Sequence, residues 1–177
     1  QQLIKVQQGD NVLVSLYIDK SGQPWMVYSE EYIQAADGIG NMYAAKLSED
    51  VTCFVSDPIR LFRGDSPAWS SGKIVEGPDL YRCENGELLM LISGFKKGTD
   101  CDRYCVGVAR SDNGDIDGNW TLLDTPMSSC DGGHGMIFEA IDKKKYFTMH
   151  KPNAPATTER PVILPFEEKG CQLRLSE

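Results

Sequence analysis

Three stretches of this chain concentrate residue types that move protons or grip polar ligands. The first is Ile74-Val75-Glu76-Gly77-Pro78. A Gly-Pro step makes a stiff turn, so Glu76 is held in place rather than left to swing in solvent. A carboxyl held partly out of water has its pKa raised and can serve as a general acid. A solvated turn glutamate is the plainer alternative. The second stretch is Asp131-Gly132-Gly133-His134-Gly135-Met136. Small residues let backbone approach a partner closely, and His134 is placed to ligate a metal or touch a substrate. A histidine bonded to backbone in a glycine-rich turn fits the same residues, and no Asp/Glu/His cluster surrounds it in sequence. The third is His150-Lys151-Pro152-Asn153 with Glu159-Arg160-Pro161-Val162, flanking one long loop. Arg160 offers the planar, bidentate donor that orients a hydroxyl or a carboxylate, or else a surface ion pair with Glu159. Trp25 and Trp120 occupy strand positions and read as core. Trp69, in the loop ahead of Glu76, is the candidate for a pocket wall.

The elements that must position these residues repeat. Leu16-Tyr17-Ile18-Asp19 is followed by Gly22 and then Trp25-Met26-Val27-Tyr28-Ser29. Leu80-Tyr81-Arg82-Cys83 is followed by Gly86 and then Leu89-Met90-Leu91-Ile92-Ser93. Ile137-Phe138-Glu139-Ala140 is followed by a Lys-rich turn and Tyr146-Phe147-Thr148-Met149-His150, with His150 where the serines stood. Each copy reads strand, tight turn, strand. Third strands follow at 41–47, 104–110 and 161–166, and fourth, edge strands at 58–63, 120–124 and 171–175. Four short antiparallel strands, recurring at roughly sixty residues, describe propeller blades. The expected fold is all-β: a single domain over 1–177, a partial β-propeller of about three blades at 10–64, 74–126 and 132–177. Propellers usually close with four to eight blades. Three leave apolar blade faces open, so self-association or a complementary N-terminal chain is expected to cover them.

The chain has 177 residues and a net charge of −8, which argues against binding nucleic acid through its phosphates, since such binding needs a basic face. No apolar run approaches the roughly 20 residues that span a bilayer. No signal peptide is visible ahead of Gln1, and a leader or a larger N-terminal piece is expected upstream. The six cysteines stand at 53, 83, 101, 105, 130 and 171 with neither zinc nor redox spacing. Cys83 and Cys105 fall inside expected strands and read as buried small hydrophobes; disulfides and redox compartment stay open.

Taken together, Gly22-x-Pro24-Trp25-Met26-Val27-Tyr28, Glu76-Gly77-Pro78, Gly86-x-Leu88-Leu89-Met90-Leu91, Val106-Gly107-Val108-Ala109-Arg110-Ser111, Gly118-x-Trp120, Gly132-Gly133-His134-Gly135-Met136-x-Phe138, His150-x-Pro152-Asn153 and Glu159-Arg160-Pro161-Val162 resemble glycoside hydrolase family 43 over about residues 12 to 166. The resemblance implies a five-bladed propeller of which this chain matches the last three blades. It implies inverting hydrolysis of arabinose- or xylose-containing plant polysaccharides such as arabinan and xylan, and a secreted or periplasmic setting. It makes Glu76 the general acid. It matches His134 to an axial histidine that helps hold calcium or its water shell, and sets Arg160 near the substrate. The base aspartate belongs to a blade that this chain does not match. The position of the pKa-modulating aspartate is Leu13. Two expectations follow from different classes: a glycosidase that is weakly active or inactive alone, or a non-catalytic carbohydrate-binding or assembly module.

Overall fold

The computed structural model describes residues 2–3, 13–98, 104–129 and 131–175. Cys101 and Cys130 lie outside the described residues, as do 10–12 at the expected start of the first blade. A short β1 (Gln2–Leu3) precedes the hairpin β2 (Val14–Ile18) and β3 (Pro24–Glu30), followed by β4 (Asn41–Lys46), a short β5 (Cys53–Phe54) and β6 (Ile59–Arg63). The second unit is β7 (Glu76–Arg82), β8 (Leu88–Phe95), β9 (Tyr104–Ser111) and β10 (Trp120–Leu122). The third is β11 (Gly133–Glu139), β12 (Lys145–Lys151), β13 (Arg160–Lys169) and β14 (Gln172–Leu175). Each unit is a four-stranded antiparallel sheet, in the orders β2-β3-β4-β6, β7-β8-β9-β10 and β11-β12-β13-β14. The three blades and their third and fourth strands stand where the repeat put them. The β1–β5 pair was not anticipated.

Local chemistry sets the first turn. Asp19 accepts from the backbone N–H groups of Ser21 and Gln23 at 2.9 Å, and from Trp25 Nε1 at 2.9 Å. Burial works to raise this carboxyl, but the donors from Ser21, Trp25 and Gln23 win and hold its pKa at about 2. The same carboxylate therefore closes the hairpin and anchors the Trp25 ring.

Side-chain alternation along β8 decides how blades stack. Leu88, Met90 and Ile92 pack into a core shared with Trp25, Val27, Met42 and Phe62 of the first blade. Leu89 and Leu91 face the other way, into a second core with Phe147, Met149 and Phe166 of the third. The central sheet is buried on both faces, which is why β8 and β9 read as nearly continuous apolar runs. The outer blades keep one face open. Along β2, Tyr17 is 8% exposed while Val14, Leu16 and Ile18 are 49%, 60% and 52% exposed. On the third blade Met136 and Ile163 stand exposed in the same way.

Polar links lock the second and third blades. Cys83 is bonded to Cys171 across 88 residues. This corrects the expectation for Cys83: it is buried, but as half of a disulfide, while Cys105 is a buried thiol pushed up to about 11 by burial. Beside the disulfide, Tyr81 donates to Glu168, which also accepts from Glu84 N at 2.7 Å, and Lys145 Nζ reaches Tyr81 at 2.8 Å and Glu84 at 3.1 Å. Nearer the inner strands, Asp79 Oδ2 accepts from Ile137 N at 3.0 Å. Burial pushes Asp79 up to about 6, against the opposing pull of that backbone donor.

Two predictions follow from these links. Replacing Cys171 with Ser, or reducing the wild type, should lower stability by about 2–5 kcal/mol in guanidinium unfolding, since the bridge closes a long loop. An unchanged midpoint would contradict a staple. Asp79 is harder to ionise folded than unfolded, so it contributes stability at low pH that is lost as pH rises from about 4 through about 6. Asp79→Asn should therefore gain on the wild type by roughly 2–3 kcal/mol between pH 4 and 7. A difference that stays constant over that range would remove the charge penalty.

Candidate active site

Glu76 is the first residue of β7 and pairs with Ser93 of β8. It sits inside the strand rather than in a loop ahead of it. The register slips between Glu76 and Asp79, and Gly77 takes a φ of +58°. β11 slips in the same way between Gly133 and Met136, with His134 at a φ of +50°. Paired bulges on the two inner strands turn their side chains toward each other.

Glycine allows the approach. A Cβ on Gly77 would stand 2.7 Å from His134 Cδ2, and one on Gly133 would stand 1.9 Å from Tyr104 Cε1. With no Cβ at either place, the Glu76 carboxyl and three rings close into one cluster. Tyr104 OH donates to Glu76 Oε1, and His134 Nε2 lies 3.8 Å from the same oxygen. The His134 backbone N–H donates to Ser93 Oγ at 2.8 Å, which fixes the loop that carries the imidazole. His150 stacks on Tyr104 with centroids 5.7 Å apart and meets His134 edge-on at 5.2 Å. Its Nε2 lies 3.2 Å from Asn153 Oδ1.

The electrostatics correct one expectation. Burial does work to raise the Glu76 carboxyl. The contacts from His134 and Tyr104, with the nearby charge of His150, outweigh it and hold the group below the usual range. Tyr104 moves the other way: burial and the Glu76 charge push its hydroxyl far up, so it stays a donor at every physiological pH. Glu76 is thus a carboxylate with one oxygen engaged by a phenol and an imidazole.

The other residues singled out in the sequence divide. His134, His150, Glu159, Arg160, Thr148, Met149 and Pro161 line one open pocket of about 360 Å³. Arg160 stands on its rim, with Nη1 donating 2.6 Å to the Glu159 carbonyl rather than pairing with its carboxylate. Trp69 is not a pocket wall. It is 7% exposed, belongs to the core between the first two blades, and its ring fills the space where a Cβ on Gly107 would go. Trp25 is core as expected, and Trp120 is half-buried against Phe62.

Tyr104 and Glu31 are groups the sequence reading did not single out, and His150 it left without a role. Glu31 follows β3 and shares with Glu76 a small pocket also bounded by Tyr32, Gly40, Ile74 and Val75. For His150 a signal existed: an imidazole replaced the serine of the other two repeats. Nothing in the sequence marks Tyr104 or Glu31. Among the described residues no three or more His, Cys, Asp or Glu side chains converge as a metal site. The donors around His134 are another imidazole, a phenol and one engaged carboxylate, whereas calcium takes six to eight oxygens. The side chains do not fit calcium as direct ligands.

The same architecture occurs in known proteins. The chain superposes with a TM-score of 0.79 on an endo-arabinase from Bacteroides thetaiotaomicron, at 36% identity, over 89% of this chain and 56% of that one. A thermostable family-43 glycoside hydrolase gives 0.80 at 18% identity, over 97% and 60%. An endo-1,4-beta-xylanase from Bacteroides thetaiotaomicron gives 0.76 at 20% identity, over 100% and 62%. The last two likenesses speak for the fold alone. This chain spans about 56–62% of the length of these three proteins. No match is found among the curated proteins. The model of the glycosyl hydrolases family 43 matches residues 2–169, and with a three-bladed propeller segment built around Glu76 the chain belongs to that family.

Proposed function

We propose that this chain is part of a glycoside hydrolase acting on arabinose- or xylose-containing plant polysaccharides, and that Glu76 is its general acid. The observation that carries the reading is the Glu76 carboxyl clasped by Tyr104 and His134 where the bulged inner strands meet. The endo-arabinase of 36% identity supports the substrate class.

The geometry supports the following roles. A pentose in the open pocket meets the imidazoles of His134 and His150 and the Arg160 guanidinium, donors suited to hydroxyl oxygens. Tyr104 occupies Oε1 of Glu76, leaving Oε2 to carry the proton. That proton passes to the glycosidic oxygen as the bond to the anomeric carbon breaks. Water adds to that carbon from the opposite face and loses its own proton to a second carboxylate. Inversion sets the two carboxyl groups roughly 6.5–9.5 Å apart, with the water between them. We assign that base to a part of the enzyme beyond these three blades, in line with the partial coverage of the related structures. The same missing part, or a second copy of the chain, would cover the exposed Val14, Leu16 and Ile18 of the first blade. Calcium, which the family resemblance raised, would act at His134 only through its water shell.

One residue favours the alternative. Leu13 stands where the family resemblance sets an acid, which suits a non-catalytic sugar-binding module.

Hydrolysis of arabino- and xylo-oligosaccharides, by this chain alone and joined with the complementary part of a family member, decides between them. Glu76→Gln should cut kcat by about 10²–10⁴ on natural linkages. The loss should be far smaller on dinitrophenyl glycosides, whose leaving group needs no proton. Equal losses on both substrates would remove the acid role. Calorimetric binding of oligosaccharides with no turnover in the joined protein would leave the binding module.

A further inference from the structure

The turn after β3 brings Glu31 to a small pocket that Glu76 also lines. Gln34 N and Ala35 N donate to the Glu31 carbonyl at 2.9 and 3.1 Å, which fixes the Glu31 backbone. The loop that follows is tied to the segment just ahead of β7: Gly40 N donates to Lys73 O at 2.8 Å, and Gly64 N, just after β6, donates to Gly40 O at 2.8 Å. A Cβ on Gly40 would stand 3.0 Å from Lys73 O and 3.1 Å from Glu30 O, so the two loops pack too closely here for a side chain. Between them Glu31, Tyr32, Gly40, Ile74, Val75 and Glu76 enclose about 20 Å³, room for a single water.

We propose that Glu31 is a positioning residue for the acid: a carboxylate that acts on Glu76 across this water-sized gap. The proposal rests on the glycosidase reading of Glu76, and the coupling itself does not.

The charges around the acid explain why such a group is needed. Tyr104 from β9, His134 from β11 and His150 from β12 all face Glu76 and favour its ionised form. An acid catalyst must instead hold its proton until the leaving oxygen takes it. A negative neighbour pushes in the required direction, and Glu31 is that neighbour. Burial and the Glu76 charge both raise the Glu31 carboxyl, and Coulomb coupling between two groups is mutual. On the Glu31 side, Lys73 Nζ sits over the Tyr32 ring, 5.9 Å from its centroid. Glu31 thus works against Tyr104, His134 and the charge of His150, and Glu76 is set by their balance.

Carbon-13 carboxyl NMR titration of the 177-residue chain tests this without any need for turnover. Glu31→Gln should move the Glu76 midpoint down by about half a pH unit. Glu31→Asp, which keeps the charge, should restore most of it. Glu76→Gln should lower the Glu31 midpoint by a similar amount, and this variant decides the matter if Glu31→Gln does not fold. A Glu76 midpoint unmoved in a folded Glu31→Gln protein overturns the proposal, as does a Glu31 midpoint unmoved in Glu76→Gln. Coupling without Glu76-dependent hydrolysis in the joined protein removes the glycosidase reading and leaves the pair. Glu76-dependent hydrolysis without coupling removes the pair alone.

Discussion

A sheet with apolar side chains on both faces has to be sandwiched, and the central blade of this protein is such a sheet. Leu88, Met90 and Ile92 on one face and Leu89 and Leu91 on the other leave no face for water. Each Å² of apolar surface so buried favours the arrangement by roughly 25 cal/mol. It fixes the blades side by side. The polar links then set how they meet: Tyr17 and Arg82 between the first two blades, and Asp79, Glu168 and the Cys83–Cys171 bond between the second and third.

The site is a consequence of that stacking. Inner strands of neighbouring blades converge, and where β7 and β11 come closest both bulge and both carry glycine. Gly77 and Gly133 let His134 and Tyr104 close on a carboxylate that would otherwise be solvated. Each cluster member comes from a different strand: Glu76 from β7, Tyr104 from β9, His134 from β11 and His150 from β12. The chemistry at Glu76 therefore depends on two blades being docked, and the neighbouring Glu31 adds a group from the first blade as well.

Much of this was legible in the sequence because it rests on periodicity. The tyrosine-glycine-serine repeat gave three blades and their third and fourth strands to within a few residues. It also aligned Ser29, Ser93 and His150, of which Ser93 and His150 both serve the site. Glu76 and His134 were marked by the glycines around them, and they do meet. What was hidden depends on distances between blades. Cys83 and Cys171 are 88 residues apart, so no spacing rule pairs them. Trp69 lies in a loop, yet Gly94 and Gly107 open a slot in the central sheet that swallows its ring. The Glu76 carboxyl was expected to be raised from burial alone; its lowering comes from His134 and Tyr104, with the nearby charge of His150, all set on other strands. Glu31 carries no motif, and only the tied loops between Gly40 and Lys73 bring it to Glu76.

The central claim is that the blades converge on one carboxyl able to protonate a glycosidic oxygen. A crystal structure with a bound arabino- or xylo-oligosaccharide examines it most directly. The account predicts a sugar lying over His134 and His150, with a glycosidic oxygen within hydrogen-bond reach of Glu76 Oε2. A saccharide seated elsewhere, or Glu76 and His134 found on separate sides of the molecule, would contradict it.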